Sequence, residues 1–195
     1  SLLEATIDAL GGEFSIAVIE GDLETENDAE RIRAHGVPAV QITTGQACHL
    51  DAHMVHDALH AMNLDGIDIL FIENVGNLVC PASFDLGHHV NVALLSVTEG
   101  DDKPAKYPVM FRAADLVLLS KVDFLDRIDD FDPARAERHV RELANPAAVL
   151  PVSVRRKDSL RDWFDWLRTT LEARRAGAPL TPRTQPEGAA LHTGG

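Results

Sequence analysis

Six short runs of mostly apolar residues, rich in β-branched side chains, recur along the chain with room for helices between them. They are FSIAVIE (14–20), AVQIT (39–43), IDILFIE (67–73), VNVALLSVT (90–98), DLVLLS (115–120) and AAVLPVS (147–153). These runs lack a regular alternation of apolar and polar residues, which is typical of strands covered on both faces of a sheet. The pattern therefore predicts six buried strands.

Helical spacing of apolar residues is found between and after these runs. It occurs in Leu2–Leu10 and in the segments 49–62, 132–144 and 159–175. Asp132 and Ser159 are the predicted N-caps of the last two helices. Strands that alternate with helices predict an α/β fold with a doubly wound, mostly parallel sheet flanked by helices. Ligands of such sheets bind beyond the carboxyl ends of the strands.

Acidic residues outnumber basic ones by 31 to 18, which gives this chain of 195 residues a formal net charge of −13. Such a charge argues against nucleic acid as a partner. No apolar stretch approaches the roughly 18 to 20 residues of a membrane span, and no export signal is recognisable. We therefore expect a cytoplasmic protein with no nucleic-acid or membrane partner. In that compartment Cys48 and Cys80 are more readily free thiols than a disulfide.

The segment SKVD (120–123) follows an apolar run and contains two side chains suited to binding guanine. The two oxygens of Asp123 match the adjacent N1–H and N2–H donors of guanine, and Lys121 can lay its methylene stem across the base. By itself the segment is also explained as a solvated lysine and aspartate in a loop.

Three further residues lie where a nucleotide phosphate and its Mg²⁺ would be expected. Glu73 and Asp22 follow apolar runs, and carboxylates at strand ends are typical Mg²⁺ ligands of nucleotide hydrolases. Gly76 leaves its backbone N–H open to a terminal phosphate. The alternatives are a strand-ending surface acid, a helix-entry acid and an ordinary turn, respectively.

A second group of residues has the chemistry of a transition-metal site. Cys48, His49 and Cys80 supply two thiolates and an imidazole, a set that suits Zn²⁺ or Ni²⁺ and leaves a coordination position open. Buried structural cysteines are the alternative. His53, His56 and His60 follow His49 at helical spacing and either extend a metal-handling surface or form a solvated helix face.

The run ENVGNLVCPASFDLG, with EGD before it, TTGQACHLDA between and KVD after, closely resembles the hydrogenase nickel-incorporation (HypB) family. These are GTPases of the SIMIBI class of P-loop proteins that help insert nickel into [NiFe] hydrogenases. The resemblance runs from residue 1 to about residue 175. It implies a P-loop NTPase-like GTPase domain over residues 1–176, followed by a tail, 177–195, whose Pro, Gly and Thr content predicts disorder.

The resemblance also implies roles for individual residues. Asp22 and Glu73 would be catalytic and hold Mg²⁺, and Gly76 would contact the γ-phosphate. The implied guanine-nucleotide residues are Ser120, Lys121, Asp123 and Ser153, and the implied Ni²⁺ or Zn²⁺ ligands are Cys48, His49 and Cys80. The implied cofactors are GTP or GDP, Mg²⁺ and Ni²⁺ or Zn²⁺. The implied partners are a second copy of the chain, a hydrogenase large-subunit precursor and a nickel accessory chaperone.

The sequence departs from the family pattern in three places. The family has GSGKT before LLE, whereas this chain begins at SLLEAT and contains no G-x-x-x-x-G-K-[ST] segment, so we expect this chain to hydrolyse GTP poorly. Ser120 replaces the usual Asn, and the segment after Ser153 lacks the usual glycine. A urease-type nickel GTPase and a non-enzymatic metal-binding dimerisation fragment are the alternatives; the NLVCP cysteine and the CH pair favour the hydrogenase type.

The order of residues suggests how the two sites communicate. Glu73 and Gly76 would sense the nucleotide, and Cys80 lies on the segment that follows them. We hypothesise that the nucleotide state and metal affinity are coupled through this short connection, and such coupling is reciprocal.

Overall fold

The computed structural model describes residues 1–22, 27–45 and 47–178. The chain divides into two compact units, Ser1–Gly87 and a second unit that begins at His88. Each unit contains a parallel sheet of three strands. The assignment of residues 1–176 to one GTPase domain stays a prediction, and most of the predicted disordered tail lies outside the described residues.

The first unit alternates helices and strands as the sequence predicts. Its elements are α1 (Leu2–Leu10), β1 (Ile16–Asp22), α2 (Asn27–Ala34), β2 (Ala39–Thr43), α3 (Ala52–Ala61), β3 (Ile69–Glu73) and a 3-10 turn (Pro81–Ser83). The strand order is β2-β1-β3, so β1 is the central strand. Residues 16–19 of β1 are fully buried, whereas β3, at the edge of its sheet, is only half-buried. The other edge strand, β2, is also mostly half-buried, so the prediction of strands covered on both faces is wrong for both edge strands of this sheet.

The second unit also has a three-stranded parallel sheet, but its strand order, β4-β5-β6, follows the sequence. Its elements are β4 (Val92–Ser96), α4 (Lys103–Lys106), α5 (Pro108–Arg112), β5 (Leu116–Ser120), α6 (Pro133–Glu142), β6 (Ala148–Val152) and α7 (Arg161–Arg175), with 3-10 turns at Val97–Glu99, Val122–Arg127 and Lys157–Leu160. Residues 116–119 of the central strand β5 are buried. None of the helices in the described part of the chain combines the length and apolar composition that a membrane span requires.

One of the two predicted N-caps is confirmed and the other is wrong. The side chain of Asp132 accepts a hydrogen bond from the N–H of Ala134 at the start of α6, as predicted. Ser159 does not cap α7, because a 3-10 turn precedes that helix and the Ser159 hydroxyl donates to the carbonyls of Ser153 and Arg156. The sequence pattern did not reveal that the partners of Ser159 lie in the loop before it.

Parallel pairing brings the carboxyl ends of β1, β2 and β3 to one edge of the first sheet. Asp22 is aligned with Thr43 of β2, and Glu20 is aligned with Glu73 of β3. The connections that carry the candidate residues of this unit all leave from this edge. This is the place at which ligands of parallel sheets bind.

Gly21, in the penultimate position of β1, packs against the core of the first unit. Leu50 is completely buried among Ile19, Val55 and Ala58. A Cβ atom added at Gly21 would lie 2.7 to 2.9 Å from three side-chain carbons of Leu50. The sequence therefore requires glycine here for close packing.

We expect Gly21→Ala to lower the free energy of unfolding by about 1 to 3 kcal/mol, because Leu50 must leave its packed position to admit the methyl group. Gly12→Ala is the matched control, since a Cβ at Gly12 would meet no atom within 4 Å. Denaturant unfolding of both variants measures the difference. Equal midpoints for the two variants would contradict the packing argument.

Candidate nucleotide and metal sites

An acidic pocket lies at the carboxyl edge of the first sheet. Glu20 and Glu73 face each other from neighbouring strands, and Asp22 ends β1 two residues further on. The Glu20 side chain is buried, with only 5% of the residue exposed. The pocket is lined by Ser1, Glu4, Glu20, Asp28, Arg31, Ile32 and Glu73.

Crowding of carboxylates disfavours their ionisation in this pocket. Burial, followed by the negative charges of Glu73 and Asp28, raises the pKa of Glu20 to about 8. Desolvation and the charge of Asp28 also raise the pKa of Glu73. The interaction between the two carboxyl groups itself favours the proton on Glu20 over Glu73. At neutral pH the pair therefore shares a proton, with Glu20 as the protonated partner.

These acids fit a magnesium ion by their chemistry. Mg²⁺ takes oxygen ligands and is commonly held by one or two carboxylates together with phosphate oxygens. A cation would replace the shared proton and offset the burial and the neighbouring negative charges that raise both pKa values. Glu20 was not among the residues assigned from the sequence. Its strand position two residues before Asp22 is the signal that could have identified it.

The backbone around Gly76 is open. The N–H of Asn77 donates to the carbonyl of Val75 at 2.7 Å, which forms a three-residue turn centred on Gly76. Gly76 is exposed, has no positive φ, and a Cβ there would meet nothing within 4 Å. Neither backbone strain nor crowding within the described chain requires glycine at this position.

The structure brings together Cys48, His49 and Cys80. One potential ligand atom from each lies within 4.8 Å of the others, and the Cys48 sulfur is 3.6 Å from Nδ1 of His49. The two cysteines are joined as a disulfide, with Cα atoms 6.3 Å apart, where the sequence favoured free thiols. The physical reason is proximity, because two thiols that converge on one metal are also close enough to pair. Their reduced form offers the donor set that suits Ni²⁺ or Zn²⁺.

Side chains that the sequence analysis did not identify support this cluster. The ring of Phe84 stacks on that of His49 with centroids 3.9 Å apart. The side-chain amide of Asn77 donates to the carbonyl of Cys48, and its oxygen accepts from the N–H of Cys80 at 2.9 Å. Asparagine in a loop between a strand and a cysteine is a weak signal, because its partners depend on the tertiary fold.

The remaining histidines do not join the cluster. His49 lies before α3 rather than on it, because the helix begins at Ala52 after the Asp51 N-cap. Only three of the four histidines predicted at helical spacing therefore lie on the helix. His53, His56 and His60 are exposed. A ring nitrogen of His60 lies 2.9 Å from the carbonyl of His56, and Nε2 of His53 lies 3.7 Å from Asp57. These contacts favour the solvated helix face.

In the second unit, the residues assigned to guanine gather at the carboxyl ends of β5 and β6. The Ser153 hydroxyl donates to Oδ1 of Asp123 at 2.6 Å, and this bond lowers the pKa of Asp123. Lys121 adopts a left-handed backbone conformation with φ of 61°, directly after β5. Ser120, the last residue of β5, donates to the carbonyl of Leu95. The arrangement holds Asp123 ionised as an acceptor.

The loop after Ser153 closes without the glycine that the family pattern has. The N–H of Arg156 donates to the carbonyl of Ser153 at 3.1 Å, and the N–H of Ser153 donates to the Ser159 hydroxyl at 2.8 Å. Arg155 lies 3.8 Å from Asp123 and over the ring of Phe124. Arg155 is a further charged residue at this site that the sequence analysis missed.

A family profile described as the CobW/HypB/UreG nucleotide-binding domain matches residues 1–151. The chain belongs to the CobW/HypB/UreG family. It is 54% identical over 179 residues to a hydrogenase maturation factor HypB from Azotobacter vinelandii. This alignment covers 89% of the chain and 58% of the relative, so the chain spans less than two thirds of that protein's length.

Solved HypB structures have the same fold. A crystal structure of HypB from Helicobacter pylori in complex with nickel is 42% identical, with a TM-score of 0.84, and the match covers 93% of this chain and 83% of that one. A structure of HypB from Archaeoglobus fulgidus is 39% identical, with a TM-score of 0.79, and covers 87% and 82%. The predicted HypB resemblance and the predicted class of parallel sheets flanked by helices are confirmed.

The raised pKa of Glu20 predicts a specific pH dependence of stability without metal and nucleotide. An unfolded glutamate loses its proton near pH 4.5, whereas folded Glu20 keeps it to about pH 8. The folded state therefore binds more protons between these values, and the free energy of unfolding falls as pH rises through the window. We expect Glu20→Gln to remove this fall and to stabilise the protein at pH 8 by on the order of 2 kcal/mol.

Denaturant unfolding at intervals from pH 5 to 9, with chelator present, measures this effect. Glu30→Gln is the matched control, because Glu30 lies exposed on α2. Parallel pH profiles for Glu20→Gln and Glu30→Gln would refute the shared-proton description.

Proposed function

We propose that this chain binds guanine nucleotide and nickel as part of a GTP-hydrolysing metallochaperone for [NiFe] hydrogenase maturation. The observation that carries the proposal is the convergence of Cys48, His49 and Cys80. Cys80 lies on the connection that also contains Glu73 and Gly76. One proposed metal ligand and the proposed nucleotide-sensing residues therefore share one short stretch of chain.

Guanine specificity is assigned to Asp123. Its hydrogen bond from Ser153 fixes one carboxylate oxygen and favours the ionised form. An ionised carboxylate accepts from both N1–H and N2–H of guanine, whereas adenine has an acceptor at N1 and no amino group at C2. Lys121 would cover one face of the base with its methylene stem. Ser120, the last residue of β5, would contribute to the guanine site as the residue from which this loop begins.

Phosphate-side chemistry is assigned to Asp22, Glu73 and Gly76. Asp22 and Glu73 would hold Mg²⁺, which supplies charge neutralisation for the β- and γ-phosphates when bound. One of these carboxylates would also orient the attacking water. The open backbone N–H of Gly76 would donate to the γ-phosphate and so distinguish GTP from GDP.

Nickel is the cargo of the proposed reaction, and zinc is the competing metal for the same ligands. Three protein ligands leave a coordination position that water or a ligand from another chain can fill. A second copy of the chain, a nickel accessory chaperone and a hydrogenase large-subunit precursor are the proposed partners. An incompletely coordinated metal can be passed on by exchange of ligands, which suits a transfer protein better than a structural metal site.

We expect Asp123→Asn to weaken GDP binding at least about tenfold, because the amide replaces one acceptor with a donor that faces a donor of guanine. Affinity for xanthosine diphosphate should rise, since xanthine has a donor at N1 and an acceptor at C2. Titration calorimetry measures the affinities for both nucleotides. The exposed Asp129→Asn is the control, and equal GDP affinities for the two variants would remove Asp123 from the base site.

We expect His49→Asn to weaken Ni²⁺ binding by about tenfold or more in the reduced chain, because one of three ligands is lost. His139→Asn, a substitution in the second unit, is the matched control. Competition with a chromophoric chelator measures affinity in GDP and in a non-hydrolysable GTP analogue. Equal affinities in the two nucleotides would refute the coupling, and metal binding without guanine binding would favour a non-enzymatic metal-binding protein.

A further inference from the structure

The ligands of the metal cluster come from two connections that are separate in sequence. Cys48 and His49 lie between β2 and α3, and Cys80 follows β3. The two cysteines are 32 residues apart. Among the described residues of 47–50 and 74–80, no backbone-to-backbone hydrogen bond joins one connection to the other. Apart from the cysteine pair, the polar links between the two connections come from side chains.

Two asparagine side chains make these links. Oδ1 of Asn74 accepts from the N–H of Leu50 at 2.9 Å, and the side-chain amide of Asn77 donates to the carbonyl of Cys48. The Cys48–His49–Leu50 segment is therefore held at both ends, with His49 between the two anchors. The completely buried side chain of Leu50 fixes the same segment to the core.

Asn77 also organises the other connection. Its side-chain oxygen accepts from the N–H of Val79 at 3.0 Å and from the N–H of Cys80 at 2.9 Å. One asparagine thus binds the backbone of both cysteines. It can do so because its side chain carries a donor and an acceptor at the same time.

Both asparagines adjoin the Gly76 turn. Asn74 immediately follows β3, and Asn77 closes the turn by donating its N–H to Val75. The planar peptide bond fixes the distance between consecutive Cα atoms. A change in the backbone conformation at Gly76 therefore moves Asn77 and the backbone groups to which Asn77 is hydrogen-bonded. Asn74 likewise bonds to both connections, through the N–H groups of Leu50 and Val75, whereas Asn77 reaches the backbone of both cysteines.

We propose that Asn77, assisted by Asn74, is the positioning residue that holds Cys48 and Cys80 in metal-binding geometry and ties that geometry to the Gly76 turn. This inference rests on the proposed metal-binding function. It assigns a positioning role to two asparagine side chains that would contact neither the metal nor the nucleotide. Residues that orient metal ligands typically change metal affinity by about 10- to 100-fold when they are replaced.

Asn77→Ser separates this role from simple stabilisation of a loop. A serine hydroxyl can still accept from the nearby N–H of Val79, but it is too short to reach the carbonyl of Cys48. Asn63→Ser is the matched control, because Asn63 accepts from the N–H of Asp65 at 3.0 Å in an exposed turn. The chain is reduced first, so that both thiols are available. Nickel affinity, the thiolate-to-nickel absorption band and the thermal unfolding midpoint are then measured for both variants.

We expect Asn77→Ser to bind nickel about tenfold or more weakly than Asn63→Ser, with an altered absorption band and a similar unfolding midpoint. Equal affinities and identical bands overturn the proposal. If Asn77→Ser unfolds at a lower midpoint than the control, Asn74→Ser decides by the same criterion, because it alters the contacts of the Asn74 side chain with the N–H groups of Leu50 and Val75 and leaves Asn77 in place.

The experiment also separates this inference from the proposed function. A reduced, unsubstituted chain that binds no nickel refutes the proposed metal site itself. A chain that binds nickel equally well with and without Asn77 refutes only the positioning role. In the supported case, the ratio of nickel affinities in GDP and in a non-hydrolysable GTP analogue approaches one in Asn77→Ser and is unchanged in Asn63→Ser.

Discussion

The parallel register of β1, β2 and β3 is the constraint on which the first unit depends. It aligns Asp22 with Thr43 and Glu20 with Glu73, so all three strands end at one edge. The connections that follow β2 and β3 therefore start at the same edge, on either side of β1, and there Cys48 and Cys80 meet although 32 residues separate them. Gly21 is part of the same constraint, because only a residue without a side chain lets Leu50 pack against β1 at this edge.

The same register creates an electrostatic conflict. Two glutamates from neighbouring strands face each other, and the pKa values of both are raised. In the second unit a carboxyl pKa is shifted in the opposite direction, because the Ser153 hydroxyl lowers the pKa of Asp123. Environments that shift carboxyl groups in opposite directions are typical of functional sites. Glu20 and Glu73, whose pKa values are raised, are suited to exchanging a proton for a cation. Asp123, whose pKa is lowered, is suited to accepting hydrogen bonds from a base.

The sequence was sufficient for features that depend on local pattern. Unalternated apolar runs predicted all the strands, and Asp132 before a proline predicted the start of α6, because a cap is a local interaction. Two helix starts were wrong because a competing local interaction was missed: Ser159 bonds to Ser153 instead of capping α7, and the Asp51 N-cap starts α3 after His49. Features that depend on a tertiary partner were missed. The contacts of Asn74 and Asn77 could not be predicted, because they join segments whose proximity follows from sheet register.

The pairing of Cys48 with Cys80 and a metal held by both require the same closeness of two sulfur atoms. They exclude each other chemically, because a disulfide has no thiolate to offer a metal. The bonds of Asn77 go to the carbonyl of Cys48 and the N–H of Cys80, not to the sulfurs. These bonds therefore do not themselves require the sulfur atoms to be paired. In a reducing compartment the thiols are kept free, so the same frame would present them to a metal.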